Sequence, residues 1–140
     1  MEEIYFEKDA RDLLFNGVQK LCNAVAKTMG PNGKTVIIPD NTEFNKYKIT
    51  KDGVSVAREI NFKNAIENIG AQLLKEVAEL QVEQAGDGTT TAIVLANAFI
   101  QNLKDFDSNE INKAFDEIIP KVIEQLKLNS KELKREDIKH

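Results

Sequence analysis

Small and apolar residues recur at three- and four-residue steps from the start of this chain, at Ala10, Leu13, Leu14, Gly17, Val18, Leu21, Val25 and Thr28. That spacing predicts one face of a long amphipathic helix, which Gly30-Pro31 stops. Ahead of it, Ile4-Tyr5-Phe6 is a short β-like run. Val36-Ile37-Ile38 is a β-branched run ended by the turn-forming Pro39-Asp40-Asn41, and Tyr47-Lys48-Ile49 follows, so the two read as a hairpin. Lys51-Asp52-Gly53 is a turn into one or two helical turns over residues 54–60. Ile66, Ile69, Leu73, Val77 and Leu80 predict a helix over 65–85, which Gly86 and Gly88 break. Ala92, Leu95, Ala96, Phe99 and Ile100 resume it over 89–103. A last helix, capped by Asp107 or Ser108, is built on Ile111, Ala114, Phe115, Ile118, Val122 and Leu126. Pro120 falls inside that pattern and, lacking a backbone donor, is expected to kink or split it. The charged tail from Lys127 reads as a short connection. The stripes, with Phe99 and Phe115, are expected to be core. The fold class is mostly α with one small β hairpin.

Composition narrows the function classes. With 140 residues, 41% hydrophobic and 30% charged, the chain has the length of one soluble domain with a modest core. A net charge of −4 with no basic stripe argues against nucleic acid as the partner. Cys22 is the only cysteine and lies beside the first apolar stripe, so a buried thiol is expected and a disulfide framework is not. His140 is the only histidine, which disfavours a zinc site or a histidine-based triad. No apolar run approaches a membrane span, and Met1-Glu2-Glu3 is unlike a targeting peptide. The expected location is cytoplasmic.

Three glycine-containing turns carry the candidate chemistry. In Gly86-Asp87-Gly88-Thr89-Thr90-Thr91 the glycines allow close backbone approach, and the threonines open a helix whose free N–H groups form an anion site. Asp87 would repel a phosphate unless it holds a cation such as Mg²⁺ that bridges to the phosphate oxygens. The plainer alternative is a capped turn, although three threonines are poor helix formers. Thr28-Met29-Gly30-Pro31-Asn32-Gly33-Lys34-Thr35 ends like a P-loop, but the first glycine of that motif would fall at Thr28, and this turn leads from helix to strand. It is either a helix stop or a rigid turn packed against a nucleotide. In Thr50-Lys51-Asp52-Gly53, Lys51 offers charge or a backbone carbonyl near a cation, and Asp52 a carboxylate that orients a water; a surface turn is the alternative. Arg58 and Lys34 read as solvated.

Together with Ile49–Ile60 and Glu67-Asn68-Ile69-Gly70-Ala71-Gln72, these segments closely resemble the N-terminal part of group I chaperonins, the GroEL type, over residues 9–126. The resemblance implies a partial equatorial domain, a bundle of long helices with a small β hairpin. Residues 1–130 would form its N-terminal half, and 131–140 the start of a connection toward an intermediate domain that these residues do not contain. It implies an ATP-dependent protein-folding machine using Mg²⁺ and K⁺. Thr28, Met29, Gly30 and Pro31 would line the nucleotide. Lys51 would lie near the phosphates, and Gly86, Gly88, Thr89, Thr90 and Thr91 would surround them. Asp87 would bind Mg²⁺, the backbones of Thr28 and Lys51 K⁺, and Asp52 would assist hydrolysis. The implied partners are identical subunits in a ring, unfolded client proteins and a co-chaperonin, with neither nucleic acid nor membrane. The hairpin would pair with a neighbour's termini, Ile4-Tyr5-Phe6 being the matching edge. Pro120 and the hairpin tip, residues 41–46, depart from the family pattern. The chain looks like a fragment, expected alone to self-associate or stay loose and to lack appreciable ATPase activity. A stand-alone nucleotide-binding module and an oligomerising structural protein are the competing readings.

Overall fold

The computed structural model describes residues 6–39 and 47–130, which group into two compact units, one ending at Asn102 and the other beginning at Leu103. In the first, the stripe between Ala10 and Val25 folds as helix α1 (Glu7–Ala26) and lies along α3 (Ala65–Ala85). Two glycines set how close they come. A Cβ on Gly17 would fall on the Glu67 carbonyl, and one on Gly70 would fall on the Leu14 carbonyl. The crossing therefore brings backbone against backbone. Glu67, buried beside it, accepts hydrogen bonds from Lys20 Nζ at 2.6 Å and Asn16 Nδ2 at 2.8 Å. Asn64 starts α3 by accepting the N–H groups of Ile66 and Glu67 at 2.9 and 3.1 Å.

Strands β1 (Val36–Pro39) and β2 (Tyr47–Thr50) pair antiparallel, with Ile37 opposite Ile49 and Val36 opposite Thr50. Alternation turns Val36 and Ile38 toward the core and leaves Ile37 exposed. A two-turn helix, α2 (Gly53–Glu59), leads from the hairpin, and α4 (Thr89–Leu103) follows α3. Val18, Leu21, Cys22 and Val25 of α1 form the core with Val56 and Ala57 of α2, Ala71, Leu74 and Ala78 of α3, and Ile93 of α4. Burial pushes the Cys22 thiol pKa up, as expected for a structural cysteine.

The second unit contains α5 (Ser108–Asn129), whose first turn Asp107 caps by accepting the Asn109 N–H at 2.9 Å. Pro120 does not split it. The helix runs through to Asn129, although the ring crowds the Asp116 carbonyl and removes the N–H that would have bonded it. Both residues are exposed, where water can serve that oxygen.

The stripes also bury less than their pattern implies. Ile69, Leu73 and Leu80 of α3, Leu95 and Phe99 of α4, and Ile118, Val122 and Leu126 of α5 are exposed. Each helix of the first unit turns only part of its apolar surface toward the core, through residues such as Leu21, Leu74 and Ile93. Phe6 is extended at the N-cap position of α1. Ile4, Tyr5, the hairpin tip at 41–46 and the tail at 131–140 lie outside the described residues.

Candidate functional site

Each turn singled out in the sequence is built by its own short-range bonds. After α1, the Thr28 N–H and hydroxyl both donate to the Val25 carbonyl, at 2.9 and 2.7 Å. Gly30 then takes φ 76° and accepts the Gly33 N–H at 3.0 Å. The Thr28 carbonyl lies against Gly33, where a Cβ would not fit. Ahead of α2, Asp52 is the N-cap. Its Oδ2 accepts the Ser55 hydroxyl at 2.6 Å and the Ser55 N–H at 3.0 Å, and its Oδ1 lies 3.4 Å from the Val54 N. The Ser55 hydroxyl bond holds the Asp52 carboxyl below the usual carboxylate range; burial opposes this, and the two backbone N–H groups and Arg58 reinforce it.

Between α3 and α4, Gly86 at φ 72° ends one helix in the left-handed conformation and Gly88 at φ 82° precedes the next. Asp87 Oδ1 accepts the Gly88 N–H at 2.6 Å, while Gln81 Nε2 donates to the Asp87 carbonyl at 2.8 Å. The first ladder bond of α4 runs from the Ala92 N–H to the Gly88 carbonyl. The N–H groups of Thr89, Thr90 and Thr91 thus stand ahead of the ladder at the positive end of the helix.

The three turns converge. Thr28–Gly30, Lys51–Gly53 and Asp87–Thr91 line one cleft of about 390 Å³. Ten of the twelve residues singled out in the sequence are in its wall: Thr28, Met29, Gly30, Lys51, Asp52, Asp87, Gly88, Thr89, Thr90 and Thr91. Pro31 and Gly86 adjoin that wall in sequence but are not in it. Sequence reasoning missed Gly53, which is buried where the turns meet. A Cβ there would strike the Thr90 hydroxyl, with Val25 Cγ1 at 3.2 Å and Thr28 Oγ1 at 3.3 Å. The available signal was a glycine placed at the first position of a helix, where helix propensity disfavours it.

The wall combines free helix N–H groups, threonine hydroxyls and Lys51, which suit an anion, with the carboxylates of Asp52 and Asp87. Among the described residues no cluster of three or more acidic, histidine or cysteine side chains forms a metal cage. Asp87 therefore offers a hard cation one carboxylate, beside a row of anion donors. So few carboxylates do not make a protein-only cage, but they fit a hard cation that takes its other ligands from a bound anion.

A sequence profile of the TCP-1/cpn60 chaperonin family matches residues 21–140. The chain belongs to that family. Two crystal forms of the chaperonin gp146 from the bacteriophage EL 2 (Pseudomonas aeruginosa), in presence of ATP-BeFx, are similar to it with TM-scores of 0.79 and 0.78 at 33% sequence identity. The similarity covers 91% of this chain and 22% or 23% of those chains, so the chain spans less than a quarter of their length. The helices with one two-stranded hairpin are thus a chaperonin equatorial-like fold, as the resemblance implied.

Proposed function

We propose that this chain grips the phosphates of Mg·ATP for an ATP-dependent protein-folding chaperonin of the group I type. The observation that carries the reading is the convergence of three separate turns on one cleft, with Gly53 stripped of a side chain where they meet. The N–H groups and hydroxyls at the start of α4 hold phosphate oxygens. Asp87 would hold Mg²⁺, which when bound draws charge from the phosphates. The Lys51 ammonium adds positive charge, and the carbonyls of Thr28 and Lys51 are the candidates for K⁺. Asp52, fixed by Ser55 and kept ionised, orients a water toward the terminal phosphate. Its depressed pKa makes it a weak base, so its role is to place the water rather than to carry away its proton. The hairpin supplies contacts between identical subunits in a ring, and clients and a co-chaperonin follow from the same reading.

In the context of a complete chaperonin subunit, Asp87→Ala and Asp87→Asn are expected to abolish Mg²⁺-dependent ATP turnover while leaving the helical circular-dichroism signal intact. A neutral side chain cannot replace a carboxylate on a hard cation. Wild-type turnover in Asp87→Ala would reduce this aspartate to a turn residue.

A further inference from the structure

Lys75 of α3 is only 7% exposed, and nothing in the cleft uses it. A lysine ammonium stays inside a protein only where its donors are satisfied. Its Nζ donates to the Arg58 carbonyl at 3.2 Å and to Asn61 Oδ1 at 3.3 Å. Arg58 is in the last turn of α2, and Asn61 follows two residues past its end. That helix is seven residues long, too short to be stable without partners, and its last carbonyls would otherwise be orphans. The Ala57 carbonyl takes the Ile60 N–H at 3.3 Å, and the Glu59 carbonyl takes the Asn61 side-chain amide at 3.4 Å. The Arg58 carbonyl takes Lys75, a cation at the negative end of the helix. Burial pushes the Lys75 pKa down, and the carboxylates of Glu59 and Glu79 oppose that fall. Glu79 also lies 3.7 Å from the Arg58 guanidinium.

The start of α2 and the turn that follows α3 line the cleft. Asp52 caps the start of α2, and α3 ends at Ala85, two residues before Asp87. Lys75 is therefore a buried polar tie between the helix that presents Asp52 and the helix that delivers Asp87. We propose that Lys75 is a positioning residue, seating α2 on α3 so that the Asp52 carboxylate is held at a fixed place relative to the phosphate-binding turn. This inference rests on the nucleotide reading above.

The test is a double-mutant cycle on ATP turnover in a complete chaperonin subunit. Small displacements of a reacting group can cost up to ~100-fold in rate. Lys75→Met, which keeps the length and removes the donors, is expected to lower kcat about tenfold and to change the ATP KM less than about twofold. Lys75→Arg, which retains donors, recovers most of that loss. In an Asp52→Ala background Lys75→Met has no further effect on kcat, because its route to the reaction is gone. Lys20→Met serves as the control: it cuts the α1–α3 tie to Glu67, lowers the melting temperature and leaves kcat alone. The inference is overturned if Lys75→Met lowers the melting temperature with kcat unchanged, or if its effect adds fully to that of Asp52→Ala. Should Lys75→Met not fold, Asn61→Ala removes one acceptor and is expected to show a smaller fall in kcat, again silent without Asp52; an unchanged kcat there overturns it equally. Wild-type turnover in Asp52→Ala alone is a different result, and it sinks the assigned role of Asp52 itself.

Discussion

At Gly53 a methyl group has no room: it would meet the Thr90 hydroxyl, with Val25 and Thr28 side-chain atoms just beyond. Helix propensity alone would favour Gly53→Ala by up to about 1 kcal/mol. The packing argues the reverse, because either the Thr90 hydroxyl must rotate away or α2 and α4 must part, and both disturb the cleft wall. Gly53→Ala is expected to weaken Mg·ATP binding at least about tenfold, roughly 1.4 kcal/mol, by calorimetric titration. Unchanged affinity with a raised melting temperature would show that the cleft yields freely. Asp52 gives a pH signature. Its folded pKa is depressed, first by the Ser55 hydroxyl, so its contribution to stability is present above the unfolded pKa and is lost as pH falls through the folded one. Ser55→Ala removes the largest cause and is expected to move the acid limb of the turnover profile upward, toward the ordinary carboxylate range. An unmoved limb would mean that another group sets it.

Among the elements, the α1–α3 crossing depends on the missing side chains of Gly17 and Gly70. Gly70→Ala puts a methyl group on the Leu14 carbonyl and is expected to cost about 1–3 kcal/mol, read as a lower denaturation midpoint. A neutral or stabilising Gly70→Ala would show that the helices slide apart without penalty. Helices were the most legible part of the chain. The expected spans 65–85 and 89–103 coincide with α3 and α4, because Gly86 and Gly88 carry boundary signals that act locally. The turns were legible for the same reason, and their shared cleft could be anticipated because they join the same few helices. Gly53 was not legible, since its environment is made by Val25, Thr28 and Thr90 from distant parts of the chain. Nor was the exposure of Phe99 or Leu73, because an amphipathic stripe states that a face is apolar and not what covers it. Pro120 shows the limit of a strong local rule: one lost hydrogen bond on an exposed face does not end a helix that continues for nine more residues to Asn129.

Over the whole molecule, the cleft belongs entirely to the unit ending at Asn102, so its binding chemistry does not depend on where α5 lies. The chain's net charge of −4 gives no general attraction for a polyanion, so on the proposed reading phosphate recognition rests on the helix terminus, Lys51 and a cation at Asp87. Among the described residues the cleft wall has no aromatic side chain, and Met29 is its one large apolar one, so on the proposed reading it suits phosphates better than a base. Recognition by this chain should therefore follow the phosphates. The most direct measurement is a calorimetric titration of this chain with ATP, with inorganic tripolyphosphate and with adenosine, each in Mg²⁺ and again in EDTA. ATP and tripolyphosphate are expected to bind in Mg²⁺, to compete with each other and to lose most of their affinity in EDTA, while adenosine neither binds nor competes. Binding of adenosine without tripolyphosphate, or ATP binding that is indifferent to Mg²⁺, would contradict the assignment of this cleft to the phosphates of Mg·ATP.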